Sequence, residues 1–219
     1  MRSTVAACLS VLLLVGCSST IPLTGHFGVL GGGKPELTSR FAGRTLELPA
    51  RTRAYASPDA GVADLYFSDL PAETFRDGAD LSTLTGTIVH IRMFMQPRAG
   101  KTPIADDATN ATARVVVLAK GQAGVYAGGG FFRSGDRPGR GSYDGVFRAA
   151  TLYLAGATPG FDDALGPSLM SGSIACLRDE KLAKAMARAF DTVAFAVDPV
   201  EDAQPEPTSE APANPTPPQ

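Results

Sequence analysis

The sequence predicts a single, mainly antiparallel β domain, a sandwich or a small barrel, covered by one C-terminal amphipathic α-helix. Three observations carry that expectation. Seven short runs have the two-residue periodicity of strands and are bounded by Gly, Pro, Asp or Asn. Turn formers are abundant, with 24 Gly and 17 Pro in 219 residues. One stretch near the C-terminus repeats its apolar residues every three and four positions instead. At this length there is room for one core and no second large domain.

The elements follow in order. Pro35 to Ala42 starts with proline and stops at Gly43, as a short helix or single turn would. Strands are expected at Arg44–Leu48, Ala63–Ser68, Thr87–Met95, Ala113–Ala119, Gly124–Phe132, Val146–Leu154 and Gly172–Leu177. In Thr87–Met95, Ile88, His90, Arg92 and Phe94 share one face. Thr87, Val89, Ile91, Met93 and Met95 share the other, which is the more apolar and therefore the core face. Lys120-Gly121-Gln122-Ala123 reads as a hairpin loop slightly longer than two residues. Gly121 to Gly145 holds nine glycines, three of them consecutive at Gly128–Gly130 beside Tyr126, Phe131 and Phe132. Glycines inside a strand mark a bulge, a bend or the close approach of another backbone. Asp179 is placed to cap a helix running to about Phe195, with Leu182, Met186, Ala189, Phe190 and Val193 on one side and Lys181, Lys184, Arg188 and Asp191 on the other. Such a stripe needs a partner, either one sheet face or an open barrel end.

The N-terminus carries the most specific motif. Met1 and Arg2 are followed by an apolar run from Val5 to Val15 and by the small Gly16, the organisation of a secretory signal peptide. The run is too short to span a bilayer as a mature helix. Leu14-Val15-Gly16-Cys17 resembles the lipobox of bacterial lipoproteins. That resemblance covers the first 17 residues only. It implies cleavage before Cys17, diacylglycerol on the Cys17 thiol and attachment to the membrane through lipid. Because Ser18 rather than Asp follows the cysteine, it also implies, for a two-membrane cell, the outer membrane. The expected location is thus the cell envelope, at the periplasmic face of the outer membrane or at the cell surface. Residues 1–16 would be removed and 17–33 would form a tether.

At the other end, 198–219 contains seven prolines and five acids but no base, with Val200 its one large aliphatic residue. Such a segment cannot offset its ordering entropy by burial, and a disordered tail is expected, leaving 34–197 as the folded domain. Without signal peptide and tail, 19 basic residues face 17 acidic ones. Near-neutrality argues against a nucleic-acid partner, which needs a concentrated basic surface.

Familiar catalytic chemistry is thinly represented. Once Cys8 has left with the signal peptide and Cys17 carries lipid, Cys176 stands alone. Its setting, Ser173-Ile174-Ala175 before it and Leu177 after it, reads as a core strand position. As a nucleophile it would need His26 or His90 beside it. The spacing Gly28 to Lys34 imitates a phosphate loop but continues with Pro35 where magnesium would need Ser or Thr. The two histidines lie 64 residues apart, and no metal or cofactor is expected. The loop bearing Arg133, Arg137 and Arg140, with Tyr143 after it, is the candidate partner-binding surface, facing an envelope protein or a glycan. Two functional classes follow: a non-catalytic envelope binding or structural module, and an envelope hydrolase or transferase whose site is assembled from scattered loops. An apolar, shallow site would favour the first and a deep pocket with convergent polar groups the second.

Overall fold

A computed structural model describes residues 33–75, 80–97 and 108–200. The signal peptide, Cys17, nearly all of the tether and the tail from 201 onward lie outside the described residues. The chain forms β1 (Glu36–Ser39), β2 (Thr45–Glu47), β3 (Thr52–Ala56), β4 (Ala63–Ser68), a single 3-10 turn (Ala72–Phe75), β5 (Gly86–Met93), β6 (Ala111–Ala119), β7 (Gln122–Gly130), β8 (Phe132–Ser134), β9 (Ser142–Ala157), β10 (Ser168–Leu177), α1 (Glu180–Ala196) and β11 (Asp198–Pro199).

These strands make one sheet in the order β2-β1-β10-β9-β7-β6-β5-β4-β3, every pair antiparallel, with β8 and β11 also paired to β9. The sheet is curled into a half-barrel, so the barrel expectation holds and the two-sheet sandwich does not. Its ends approach where Tyr55 of β3 forms a parallel bridge with Arg178, and the Asp179 N–H donates to the Tyr55 carbonyl at 3.2 Å. Curvature comes from irregularities in the ladder: the register shifts between Val125 and Tyr126 against β9, and between Met170 and Gly172 on β10. β9 is the hub. Its second half pairs with β7, its first half with β8, and β10 runs along its other edge.

The concave side is filled by an inner core that includes Tyr55, Phe67, Met93, Tyr126, Phe132, Tyr143 and Phe147. On the convex side α1 lies across β3 to β6, and its Ala183, Met186, Phe190 and Val193 pack on Ala54, Tyr66, Ile88 and Val116. The helix therefore covers a sheet face rather than a barrel end. Its start is as expected: the Asp179 carboxylate accepts from the Leu182 N–H at 2.9 Å.

Several expectations are corrected. Pro35–Ala42 is strand β1 and a turn, not a helix. Leu37 is its one buried aliphatic side chain, which makes no helical stripe, and pairing with β10 and β2 satisfies the backbone instead. The Lys120-Gly121 hairpin is shorter than expected, with two loop residues, both at positive φ, between the paired Ala119 and Gln122. On β5 the core face is Val89, Ile91 and Met93 as read, but Ile88 and His90 are buried too, because α1 covers the second face, whereas Met95 lies past the strand end and is exposed. The folded domain runs on to Val200: Asp198 and Pro199 pair with Ala157 and Gly156, and the Val200 N–H donates to the Ala155 carbonyl at 3.1 Å. The expectation of disorder is thus wrong for the first three residues of the tail.

Candidate functional site

Three places were open to function: the residues with catalytic chemistry, the arginine loop, and whatever cavity the fold leaves. The first set is taken up by packing. Tyr66, His90 and Arg114 lie in one row across β4, β5 and β6 beneath α1. His90 Nε2 is 2.9 Å from Asp64 Oδ1, and Arg114 Nη2 is 3.3 Å from His90 Nδ1. A guanidinium has only donors, so Nδ1 accepts and Nε2–H donates to Asp64. The imidazole stacks on Tyr66 with ring centres 4.5 Å apart and meets the edge of Phe190 at 6.0 Å. Arg114 also lies over the Phe190 ring at 4.6 Å and reaches Asp191 at 3.6 Å. Both imidazole nitrogens are thus committed, and the cluster pins the helix to the sheet.

Cys176 is on the opposite side of the sheet, in the inner core, where burial pushes its thiol up to about 12 against a modest lowering by Arg53. It sits where its apolar flanks placed it, and the sheet separates it from His90. Its Sγ–H points at the Tyr66 carbonyl at 3.8 Å. A neutral buried thiol is a poor nucleophile.

In the arginine loop, Arg133, Arg137 and Arg140 are exposed, but Tyr143 is not a surface residue. The alternation of β9 turns it inward, where it packs on Tyr55 and Phe132 and its hydroxyl contacts Met93 Sδ at 2.8 Å. Burial lifts the Tyr143 phenol to about 12. The loop backbone is held down: the Arg140 carbonyl accepts from the Tyr55 hydroxyl, Arg178 Nη1 donates to the Gly139 carbonyl at 2.8 Å, and Gln96 donates to the Asp136 carbonyl at 3.1 Å. Arg140 is paired with Asp136 at 2.8 Å. Of the four residues expected to meet a partner, the three arginines are exposed and the tyrosine is buried.

One well-formed cavity was not anticipated. A groove of about 570 Å³ lies between the C-terminal half of α1, the β6–β7 hairpin and the segment around the 3-10 turn. Phe75, Leu81, Leu118, Ala189, Val193 and Val197 form its apolar walls, with Asp80, Gln122 and Arg188 among its polar lining. The volume is in the range that takes a small organic ligand, about 300 to 1,000 Å³. The opening exists because the helix presents Ala185, Ala189 and Ala196 here, side chains too short to reach the wall opposite. That run of alanines was the available sequence signal, overlooked because alanine counts toward an apolar stripe without filling it. A second opening of about 520 Å³, lined by Pro35, Leu48, Arg53 and Ile174, marks the unclosed seam between β10 and β3.

Among the described residues no three His, Cys, Asp or Glu side chains are grouped to hold a metal ion. Nor, among them, is any helix long and apolar enough to cross a membrane. No family model, curated protein or solved structure matches the chain.

Proposed function

We propose that the protein is a lipid-anchored lipoprotein of the bacterial envelope whose β domain is a non-catalytic binding module, taking a small apolar molecule in the groove beside α1. The groove carries this reading. Its walls are mainly apolar, as expected of a site that binds by excluding water rather than by converging polar groups on a reacting atom. Further support comes from Cys176 and His90, the most reactive side chains of the domain, each buried and engaged on opposite sides of the sheet. An apolar wall also makes a lipid or other hydrophobic compound a better occupant than a glycan, whose hydroxyls would lose their water.

Anchoring rests on Leu14 to Cys17. Each acyl methylene buried contributes about 0.8 kcal/mol, so two or three long chains hold the protein on a bilayer without a spanning helix. The wild-type protein should incorporate labelled palmitate and partition into detergent, and Cys17→Ala should lose the label and accumulate as a precursor. Equal labelling of the two would overturn the anchor. For the groove, wild-type protein should enhance the fluorescence of an anilinonaphthalene sulfonate dye in a saturable way. Ala189→Phe, which fills the groove from its wall, should abolish that signal while leaving the melting temperature close to wild type. Dye binding that survives Ala189→Phe would refute the site.

A further inference from the structure

We propose that the β1–β2 hairpin tip, Arg40 to Arg44, is a membrane-docking element that seats the domain on an anionic bilayer surface. Phe41 is 80% exposed at the end of this turn, and every residue from Arg40 to Thr45 is exposed. Single exposed apolar residues are ordinary, so the argument rests on its setting. The turn is well held: the Ser39 hydroxyl accepts from the N–H groups of Phe41 and Ala42 at 3.4 and 2.9 Å, the Ser39 N–H donates to the Arg44 carbonyl at 2.8 Å, and Gly43 supplies the positive φ of +62°. Arg40 binds back through its N–H to the Pro167 carbonyl at 2.8 Å, and its guanidinium lies 5.9 Å from the Phe41 ring centre. An aromatic ring is thus presented outward with Arg40 against it and Arg44 in the same turn.

The charge is one-sided where it matters. From Gly33 to Arg53 there are five bases, Lys34, Arg40, Arg44, Arg51 and Arg53, against Glu36 and Glu47. Both acids sit at the opposite end of the hairpin, cross-paired with each other, so the tip has no carboxylate of its own. The neighbouring segment ending at Pro167 carries Asp162 and Asp163, and the Asp163 carboxylate is occupied by the Tyr126 hydroxyl and the Gly166 N–H. Arg40 and Arg44 form no ion pair with a described residue. The two comparable surfaces lack this combination. Phe195 is 88% exposed, but the last turn of α1 has no base. The arginine loop has its bases interspersed with Asp136 and Asp144, and Arg140 is already paired with Asp136. An exposed ring in a turn that carries two arginines suits the headgroup boundary, where the ring enters and the cations meet lipid phosphates.

The proposal uses the lipid-anchor reading for one thing, proximity. Fifteen residues lie between Cys17 and Gly33, at most about 55 Å of chain from one to the other, so a domain tethered there meets the bilayer at high effective concentration. A weak tip is then sufficient.

The chain has no tryptophan, so Phe41→Trp creates a sole tryptophan reporter at the tip, excited selectively over the tyrosines. The mature chain beginning at Cys17 is coupled through that thiol to a maleimide phospholipid, Cys176 being buried, which supplies the tether whether or not the cell attaches lipid. On phosphatidylglycerol-rich vesicles the emission should shift to the blue and be quenched by brominated acyl chains. On pure phosphatidylcholine both effects should be much weaker. Arg40→Gln with Arg44→Gln should lower partition on the anionic vesicles about thirtyfold, roughly fivefold for each cation near the surface. Emission that stays solvent-exposed on anionic vesicles, as it would if the tip served a protein partner, overturns the proposal. So does equal behaviour on the two lipids. A failed palmitate label would remove the natural anchor and leave this result standing.

Discussion

Phe190→Asp is expected to unfold or aggregate the domain. Phe190 is fully buried at the centre of the α1 stripe, in edge contact with His90 and under the Arg114 guanidinium. Truncating a buried Phe costs about 3 to 5 kcal/mol, and a carboxylate in its place adds the burial of a charge. That charge would arrive beside Asp64 and Asp191, while Arg114, the nearest cation, is already shared between His90 and Asp191. A domain margin of about 5 to 15 kcal/mol leaves little after such a loss. Lys184→Asp, exposed on the same helix, is the control and should melt close to wild type. Thermal melts and size-exclusion profiles compare the two. If both variants melt together as monomers, α1 does not hold the convex face.

Gly128→Ala is the second large effect, and it concerns backbone rather than side chain. In the last third of β7 a methyl group would be driven into the Thr151 carbonyl oxygen of β9, and the next glycines are nearly as crowded. A Cβ at Gly129 would lie 2.9 Å from the Ala111 carbonyl oxygen, and one at Gly130 2.8 Å from the Ala150 Cα. Neither strand can yield alone, because β7 is also laddered to β6 and β9 to β10. Overpacking a core costs about 1 to 3 kcal/mol when side chains can shift, and a rigid backbone puts this case at or above the upper end. A fall in melting temperature of about 10 °C is expected for a domain of this size. Gly141→Ala, where nothing lies within 4 Å, should change it little. A Gly128→Ala protein as stable as Gly141→Ala would mean that β7 and β9 are not in close register.

Where the two faces of an element differ in polarity, the sequence was readable. Ala63–Ser68 matches β4 residue for residue, and the Asp179 cap and the stripe through Met186, Phe190 and Val193 are as the spacing required. Of the three alternatives that Gly128–Gly130 left open, a bulge, a bend or the close approach of another backbone, the last is present. What escaped was structure made by tertiary pairing. β1 and β8 are too short and too polar to announce themselves, and they exist because β10 and β9 supply their hydrogen bonds. β3 reads Thr-Arg-Ala-Tyr-Ala, with Ala54 and Tyr55 buried on opposite faces, so there was no polar side to alternate with. The site was less legible still. The groove is a property of what alanines fail to fill, and the exposure of Phe41 depends on a hairpin tip in a segment whose residues alone suggest a short helix or single turn. Tyr143 was misplaced for a simpler reason: a tyrosine in a glycine-rich arginine segment looks like a surface residue until the phase of β9 is known.

The order of the sheet has a consequence for the time at which the molecule can form. β1 leads the described chain, yet one of its two partners in the sheet is β10, with Thr38 opposite Leu169. The seam likewise needs Tyr55 and Arg178 together. Bringing the ends of such a loop into contact costs about 4 kcal/mol in chain entropy before any pairing returns it, and non-local topologies of this kind fold slowly. A chain delivered with its N-terminus first would expose β1 to β3 long before β10 arrived. The hairpins β4 to β7 can zip locally, but the half-barrel has no stable partial version that includes its own beginning. Such a chain stays threadable until its last third has emerged, and folding then proceeds from the middle outward, with the first strand among the last to be seated.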